Sequence, residues 1–177
     1  MQSPCVCGGN PVSFVDPLGL AGMYVVFQGY MVDTGFGFKA PLGHAGVVAI
    51  DDATGKARYF DFGRYIDPAT GKLAPYGLVR DFNLDTVILF DKDKMPTLES
   101  SDALNAELSA KFGQNIFPSN LYNANANADK IIEHALKVKS NPSQYPYTIN
   151  PVSKNKFNTC YNFAWAAFQA GLVTGSH

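Results

Sequence analysis

The chain has 177 residues, 46% of them hydrophobic and 13% aromatic, enough for one domain with a core of its own. A formal net charge of −1 gives no electrostatic basis for binding nucleic acid. No run approaches the roughly 20 apolar residues of a membrane-spanning helix.

Met1 to Asn10 has neither a basic n-region nor an apolar h-region, so no secretory signal peptide is expected. Cys5 and Cys7 sit in a Gly/Pro-rich piece far from Cys160, and His44, His134 and His177 are scattered. This is not a zinc spacing, and three cysteines do not build a disulfide framework. No metal or cofactor is expected, and Cys160 is left as a candidate reactive thiol.

Asn10 to Leu20 is punctuated by proline and glycine and reads as an extended arm. Met23 to Gln28 is a short β-rich run. Gly35 to Gly43 is a glycine-rich loop that presents Phe36, Phe38, Pro41 and Leu42. His44 to Ile50 and Arg58 to Phe62 are strands joined by the turn Asp51 to Lys56. The turn chemistry repeats at Asp67 to Lys72, and Leu78 to Phe82 and Thr86 to Phe90 are read as two more strands. A mostly antiparallel sheet of about five strands follows. The aspartates of these turns, with Asp91 and Asp93, lack the glycine and glutamate of an EF-hand loop, so turn chemistry is preferred to calcium.

The hairpin fixes a testable register. With Asp51 opposite Lys56, Ile50 faces Ala57 and Gly46 faces Asp61. Side chains alternate along a strand, so His44 and Gly46 share a face and Asp61 lies diagonal to His44. A carboxylate on one imidazole nitrogen orients the ring and makes it a better base for a thiol. A register slip of one residue would instead put Asp61 on the other face.

Thr97 to Phe112 reads as a helix, with cap candidates Thr97, Ser100 and Ser101 and apolar Leu104, Leu108 and Phe112 at helical spacing. Asn115 to Asn127 is asparagine-rich and reads as irregular. Asp129 to Lys139 is a second helix, with His134 at its rim. Asn141 to Asn155 is a long loop with three prolines and two tyrosines, of the kind that shapes a substrate groove. His177 is expected to be inert. The last helix opens at Asn158-Thr159-Cys160 with N-cap residue types and is expected to stop at Gly171. Cys160, Phe163, Ala164, Ala167 and Phe168 fall on one face. A thiol in the first helical turn feels the positive end of the macrodipole, which favours the thiolate. Cysteine is also a common core residue, so Cys160 as buried filler is the alternative.

Two resemblances bear on function. Asn10-Pro11, a short spacer and Asp16-Pro17-Leu18-Gly19-Leu20 resemble the end of the core of Rhs-repeat polymorphic toxins. The resemblance implies that residues 1–20 close an Rhs shell and that self-cleavage follows Leu20. Residues 21–177 would be the toxin domain, exported by a secretion machine, often type VI, and matched by a cognate immunity protein. Asp16 would be a remnant of the recognition motif, because the shell with its own protease residues is absent.

Gly43-His44-Ala45-Gly46 on a strand, with Asn158 to Phe163 opening a helix, resembles permuted NlpC-type papain-like hydrolases. That group includes the lecithin–retinol acyltransferase-like proteins. The resemblance spans about 44 to 172, with an insertion at about 92 to 156. It implies an α+β, circularly permuted papain-like fold: an antiparallel sheet packed against a C-terminal catalytic helix, plus additional helices. Many members carry asparagine directly before the cysteine, where this chain has Thr159. The implied catalytic residues are Cys160 and His44, and the third, polar position maps to Asp61. Cys160 would attack an acyl carbon with His44 as base, Asp61 as its orienting partner and the Cys160 amide as oxyanion donor.

Phospholipid ester cleavage or acyl transfer is preferred as the reaction, from the permuted order and the apolar lip before His44. Amide cleavage in peptidoglycan stem peptides is the alternative. A protein deamidase or a non-enzymatic binding domain also stays open. Action is expected at the envelope or periplasm of a target cell.

Overall fold

The computed structural model describes residues 20–34, 36–148 and 159–172. The Asn10 arm up to Gly19, Cys5, Cys7 and His177 therefore lie outside the described residues. A central antiparallel sheet is built from β1 (Leu20–Phe27), β4 (His44–Asp51), β5 (Ala57–Gly63), β8 (Leu78–Asn83) and β9 (Ser119–Asn123), in the order β8-β5-β4-β1-β9. Two small hairpins decorate it: β2 (Val32–Asp33) with β3 (Lys39–Ala40), and β6 (Ile66–Asp67) with β7 (Lys72–Leu73). The helices are α1 (Leu98–Phe112), α2 (Ala128–Ser140) and α3 (Cys160–Leu172). None of the described helices is long and apolar enough to cross a membrane.

The central strand β4, His-Ala-Gly-Val-Val-Ala-Ile-Asp, is buried on both faces up to its last residue. That is why its sequence is continuously apolar rather than alternating. On one face Ala45, Val47 and Ala49, with Phe60 and Phe62 of β5, pack against Ile131 and Ala135 of α2 and Phe163, Ala164 and Phe168 of α3. On the other face Val48, Ile50, Met23, Val25, Phe27 and Tyr59 pack against Leu104, Leu108 and Phe112 of α1. The sheet is thus the middle layer of three.

The β4–β5 register is as expected, with Ile50 opposite Ala57 and Gly46 opposite Asp61. Turn aspartates behave as turn residues: Asp51 Oδ1 accepts from the amides of Ala53 and Thr54, and Asp67 Oδ1 accepts from that of Ala69. The Thr97 cap is also as read, accepting from the Ser100 amide. Asn127, at the end of the stretch read as irregular, caps α2 by accepting from the Lys130 amide.

Two readings of the chain are corrected. Thr86 to Phe90 is not a strand of the sheet. Its start is tied to α1 instead: the amides of Asp85 and Thr86 donate to the Glu107 carboxylate at 2.8 Å each, and Thr86 Oγ1 donates at 2.6 Å. The fifth strand is β9, inside the asparagine-rich stretch read as irregular. Asparagine disfavours strands on its own, but β1 offers an open edge and β9 pairs along it from Gly22–Asn123 to Val26–Ser119. A short, polar edge strand of this kind also discourages further pairing. In addition, α3 runs through Gly171 to Leu172, and the Gly171 carbonyl accepts from the Asn127 amide at 2.8 Å.

Glu107 gives a first test. Its carboxyl is subject to burial, which raises it, but the hydrogen bonds from Lys111, Thr86 and Asp85 outweigh this and hold it at about 2. Glu107→Ala removes the acceptor of two backbone amides and is expected to lower stability by about 1–2 kcal/mol. Urea unfolding of the variant at neutral pH checks this.

Candidate active site

His44 is the first residue of β4, and Gly43 before it has φ +79°. A side chain at Gly43 would be strained there and would collide with the Tyr161 hydroxyl. That hydroxyl donates to the Leu42 carbonyl at 3.3 Å. The residue before the histidine is therefore packed on the residue after the cysteine, which ties the start of β4 to the start of α3.

Thr159 caps α3: its Oγ1 accepts from the Asn162 amide at 3.2 Å and donates to Asn162 Oδ1 at 2.6 Å. This places Cys160 at the first position of the helix, 3% exposed and unpaired in any disulfide. The thiol lies close enough to the His44 imidazole to raise it. His44 Nε2 is already bound to Asp61 Oδ2 at 2.8 Å, which leaves Nδ1 for the sulfur. The imidazole is 4% exposed and lies against the rings of Phe27 and Tyr30, at centroid distances of 6.2 and 4.8 Å.

Asp61 is fully buried and accepts from four residues. Oδ2 takes His44, the Tyr59 hydroxyl at 2.9 Å and an Arg80 terminal nitrogen at 2.5 Å. Oδ1 takes the Tyr65 hydroxyl at 3.0 Å and Arg80 Nε at 2.8 Å. Gly46 makes room, because a Cβ there would meet the Tyr59 ring. Arg80, Tyr59 and Tyr65 were not singled out from the sequence. The available signal was Arg80 at alternate spacing in a strand expected to have one face inward.

The electrostatics follow from this cluster. Burial alone would lower the imidazole, but the Asp61 charge and hydrogen bond, with the Cys160 hydrogen bond, raise it from 6.5 to about 9. Burial alone would raise the Asp61 carboxyl, but His44 and Arg80 hold it well below the usual carboxylate range. His44 therefore carries its proton at neutral pH, facing an ionised carboxylate.

The linkage has a definite sign. The raised imidazole contributes stability that is full below about pH 6.5 and is lost as pH rises through about 9. The depressed carboxyl contributes stability that is full above its ordinary 3.8 and is lost only in stronger acid. The melting temperature is expected to fall between pH 6.5 and 9.5 in the native chain. The fall should be much smaller in His44→Gln. Thermal unfolding across that range checks it.

A cleft of about 290 Å³ opens beside His44, with Lys39, Arg64 and Asp33 among its polar walls and Met31, Ile66 and Leu73 among its apolar ones. Tyr147, from the loop after α2, reaches this cleft. The segment before His44 exposes Phe36 at 82%, Phe38 at 59% and Leu42 at 49%. His134 is not part of the cluster. It lines a second cavity of about 350 Å³ with Phe163 and Trp165, and its imidazole is lowered by burial and by Lys137. No group of three or more His, Cys, Asp or Glu side chains suited to a metal occurs among the described residues.

The solved structures include a near match in fold. The crystal structure of a type VI secretion system effector, TseH, is similar with a TM-score of 0.67 and 22% identity, covering 88% of this chain and 78% of that one. The α+β arrangement of an antiparallel sheet, a C-terminal helix and further helices, expected from sequence, is therefore found and shared with a known fold. No curated protein sequence matches the chain. The sequence profile of TseH-like type VI secretion system effectors matches residues 27–174, a span that holds His44, Asp61 and Cys160. The chain belongs to this family of TseH-like type VI secretion system effectors.

Proposed function

We propose that the chain is an antibacterial cysteine hydrolase acting through an acyl-enzyme, on a circularly permuted papain-like domain. One observation carries the reading: a helix-opening buried thiol lies beside a buried histidine that is held by a buried carboxylate. Cys160, His44 and Asp61 then take the roles of nucleophile, acid–base and orienting group. The thiolate adds to the acyl carbon, the carbon–heteroatom bond breaks, and the leaving group takes the His44 proton. Water then adds to the thioester with His44 accepting its proton, which releases the acid and returns the thiolate. The Cys160 amide, at the free N–H end of α3, is positioned by its place in the helix to stabilise the oxyanion.

Two envelope substrates fit this chemistry. The exposed Phe36, Phe38 and Leu42 beside the site favour phospholipid esters, because apolar side chains can seat among acyl chains. The mixed charge of Lys39, Arg64 and Asp33 in the cleft favours a zwitterionic peptide, as in peptidoglycan stem-peptide amides. Incubation with phospholipid vesicles and with purified sacculi separates them. Release of free fatty acid or lysolipid supports the first, and release of stem-peptide fragments the second. Release of neither by the native chain would overturn the hydrolase reading at the envelope.

The arm up to Leu20 is read as the end of an Rhs shell, with the toxin domain over 21–177 and a cognate immunity protein in the producing cell. Mass measurement of the toxin recovered from secretion tests the cleavage, with Ala21 as the expected first residue.

The rate should depend on the protonated histidine. With the imidazole held at about 9, turnover is expected to be level near neutral pH and to fall as pH rises through that value. A pH–rate profile on whichever substrate is cleaved checks this.

A further inference from the structure

Arg80 lies on β8 directly across from Asp61 in the sheet register. Its guanidinium grips the carboxylate with two parallel bonds, to Oδ1 at 2.8 Å and Oδ2 at 2.5 Å. The guanidinium is itself held against aromatic rings, 4.2 Å from the Tyr65 centroid and 5.5 Å from that of Phe112. His44 Nε2 binds the same Oδ2 at 2.8 Å. Two cations thus share one buried carboxylate.

The groups around His44 make Asp61 its counter-charge. Asp61 and Tyr59 face it from β5, Tyr65 from the following loop, Tyr30 from the loop after β1 and Cys160 from α3. From α1 the nearby side chain is the apolar Phe112, while Lys111 of that helix is bound to Asp85 and Glu107.

We propose that Arg80 is a positioning residue of this site: it fixes the plane of the Asp61 carboxylate and divides that carboxylate's charge with His44. The inference rests on the thiol hydrolase reading above. An imidazolium facing an undivided buried carboxylate would keep its proton too firmly to give it to a leaving group. A rigid two-pronged donor also sets the direction of Oδ2, and hence of the imidazole, more tightly than a single bond does.

The proposal makes a prediction of sign. If Arg80 shares the charge, removing it leaves the whole carboxylate to His44, and the imidazole holds its proton more tightly. If Arg80 only props the strand, removing it loosens the His44–Asp61 pair, and the imidazole gives up its proton more easily. Nuclear magnetic resonance titration of histidine-labelled full chain reads this without any substrate, with His44 assigned from its loss in His44→Gln. In Arg80→Gln the midpoint is expected to rise by about half a unit to one unit. In Arg80→Lys, which keeps the charge, it should stay close to that of the native chain. Hydrolysis of p-nitrophenyl butyrate gives the second readout. Both variants are expected to lose about tenfold or more in kcat with KM little changed, Arg80→Lys less than Arg80→Gln.

A midpoint that falls or stays in place in Arg80→Gln overturns the proposal. Should Arg80→Gln not fold, Arg80→Lys decides: an unchanged midpoint with reduced kcat supports it, and native kcat overturns it. Failure of the underlying reading would show separately, as Cys160→Ala retaining hydrolysis.

Discussion

Cys160→Ala is expected to abolish growth inhibition and to lower hydrolysis by at least about 10³-fold, because a covalent mechanism has no substitute for its nucleophile. The fold should survive. Cys160 is buried at a helix end rather than at the centre of either core, and the change removes one sulfur atom. The expected stability cost is about 1 kcal/mol or less. Growth of cells expressing the variant in the cytosol and, with a signal peptide, in the periplasm gives the result. The compartment in which the native chain kills also bears on the substrate. Killing by a folded Cys160→Ala variant in either compartment would refute the thiol mechanism.

Asp61→Ala is expected to have the largest effect on stability, about 3–5 kcal/mol. The side chain is fully buried and accepts from His44, Tyr59, Tyr65 and Arg80. Alanine would leave the Arg80 charge, on a side chain only 26% exposed, without its partner. It would also leave two tyrosine hydroxyls without an acceptor. Asp61→Asn keeps the shape but not the charge. It should be milder in stability, and it should drop the imidazole from about 9 back towards its ordinary range. Urea unfolding of both variants, with the histidine titration of the second, checks the pair. If Asp61→Ala unfolded at the native denaturant midpoint, the carboxylate would not be holding this network together.

Much of this was legible in the chain itself, for local reasons. The turn Asp51 to Lys56 sets the β4–β5 register, and the register sets Asp61 diagonal to His44. Thr97 and Thr159 announce their helices because each supplies a side-chain oxygen to an otherwise unpaired amide. The apolar stripe Cys160, Phe163, Ala164, Ala167 and Phe168 is the buried face of α3. Periodicity, capping and hairpin register are properties of neighbouring residues, so they can be read without the fold.

Other features depend on partners far away in the sequence. Asn-rich β9 is a strand because the edge of β1 needs a partner, and Thr86 to Phe90 is not one because Glu107 of α1 holds the start of that segment. Arg80 joins the site only through the β5–β8 pairing. The meeting of His44 and Cys160 is of the same kind. By alternation His44 and Asp61 belong to the α1 face, while Cys160 arrives with α3 on the opposite face. They come together because His44 opens β4 opposite the last residue of β1, where the sheet ends and no longer separates its two sides. The sequence by itself determined which thiol, imidazole and carboxylate were available and how the last two are paired. Only the packing of α3 across the end of the sheet brought the thiol to them.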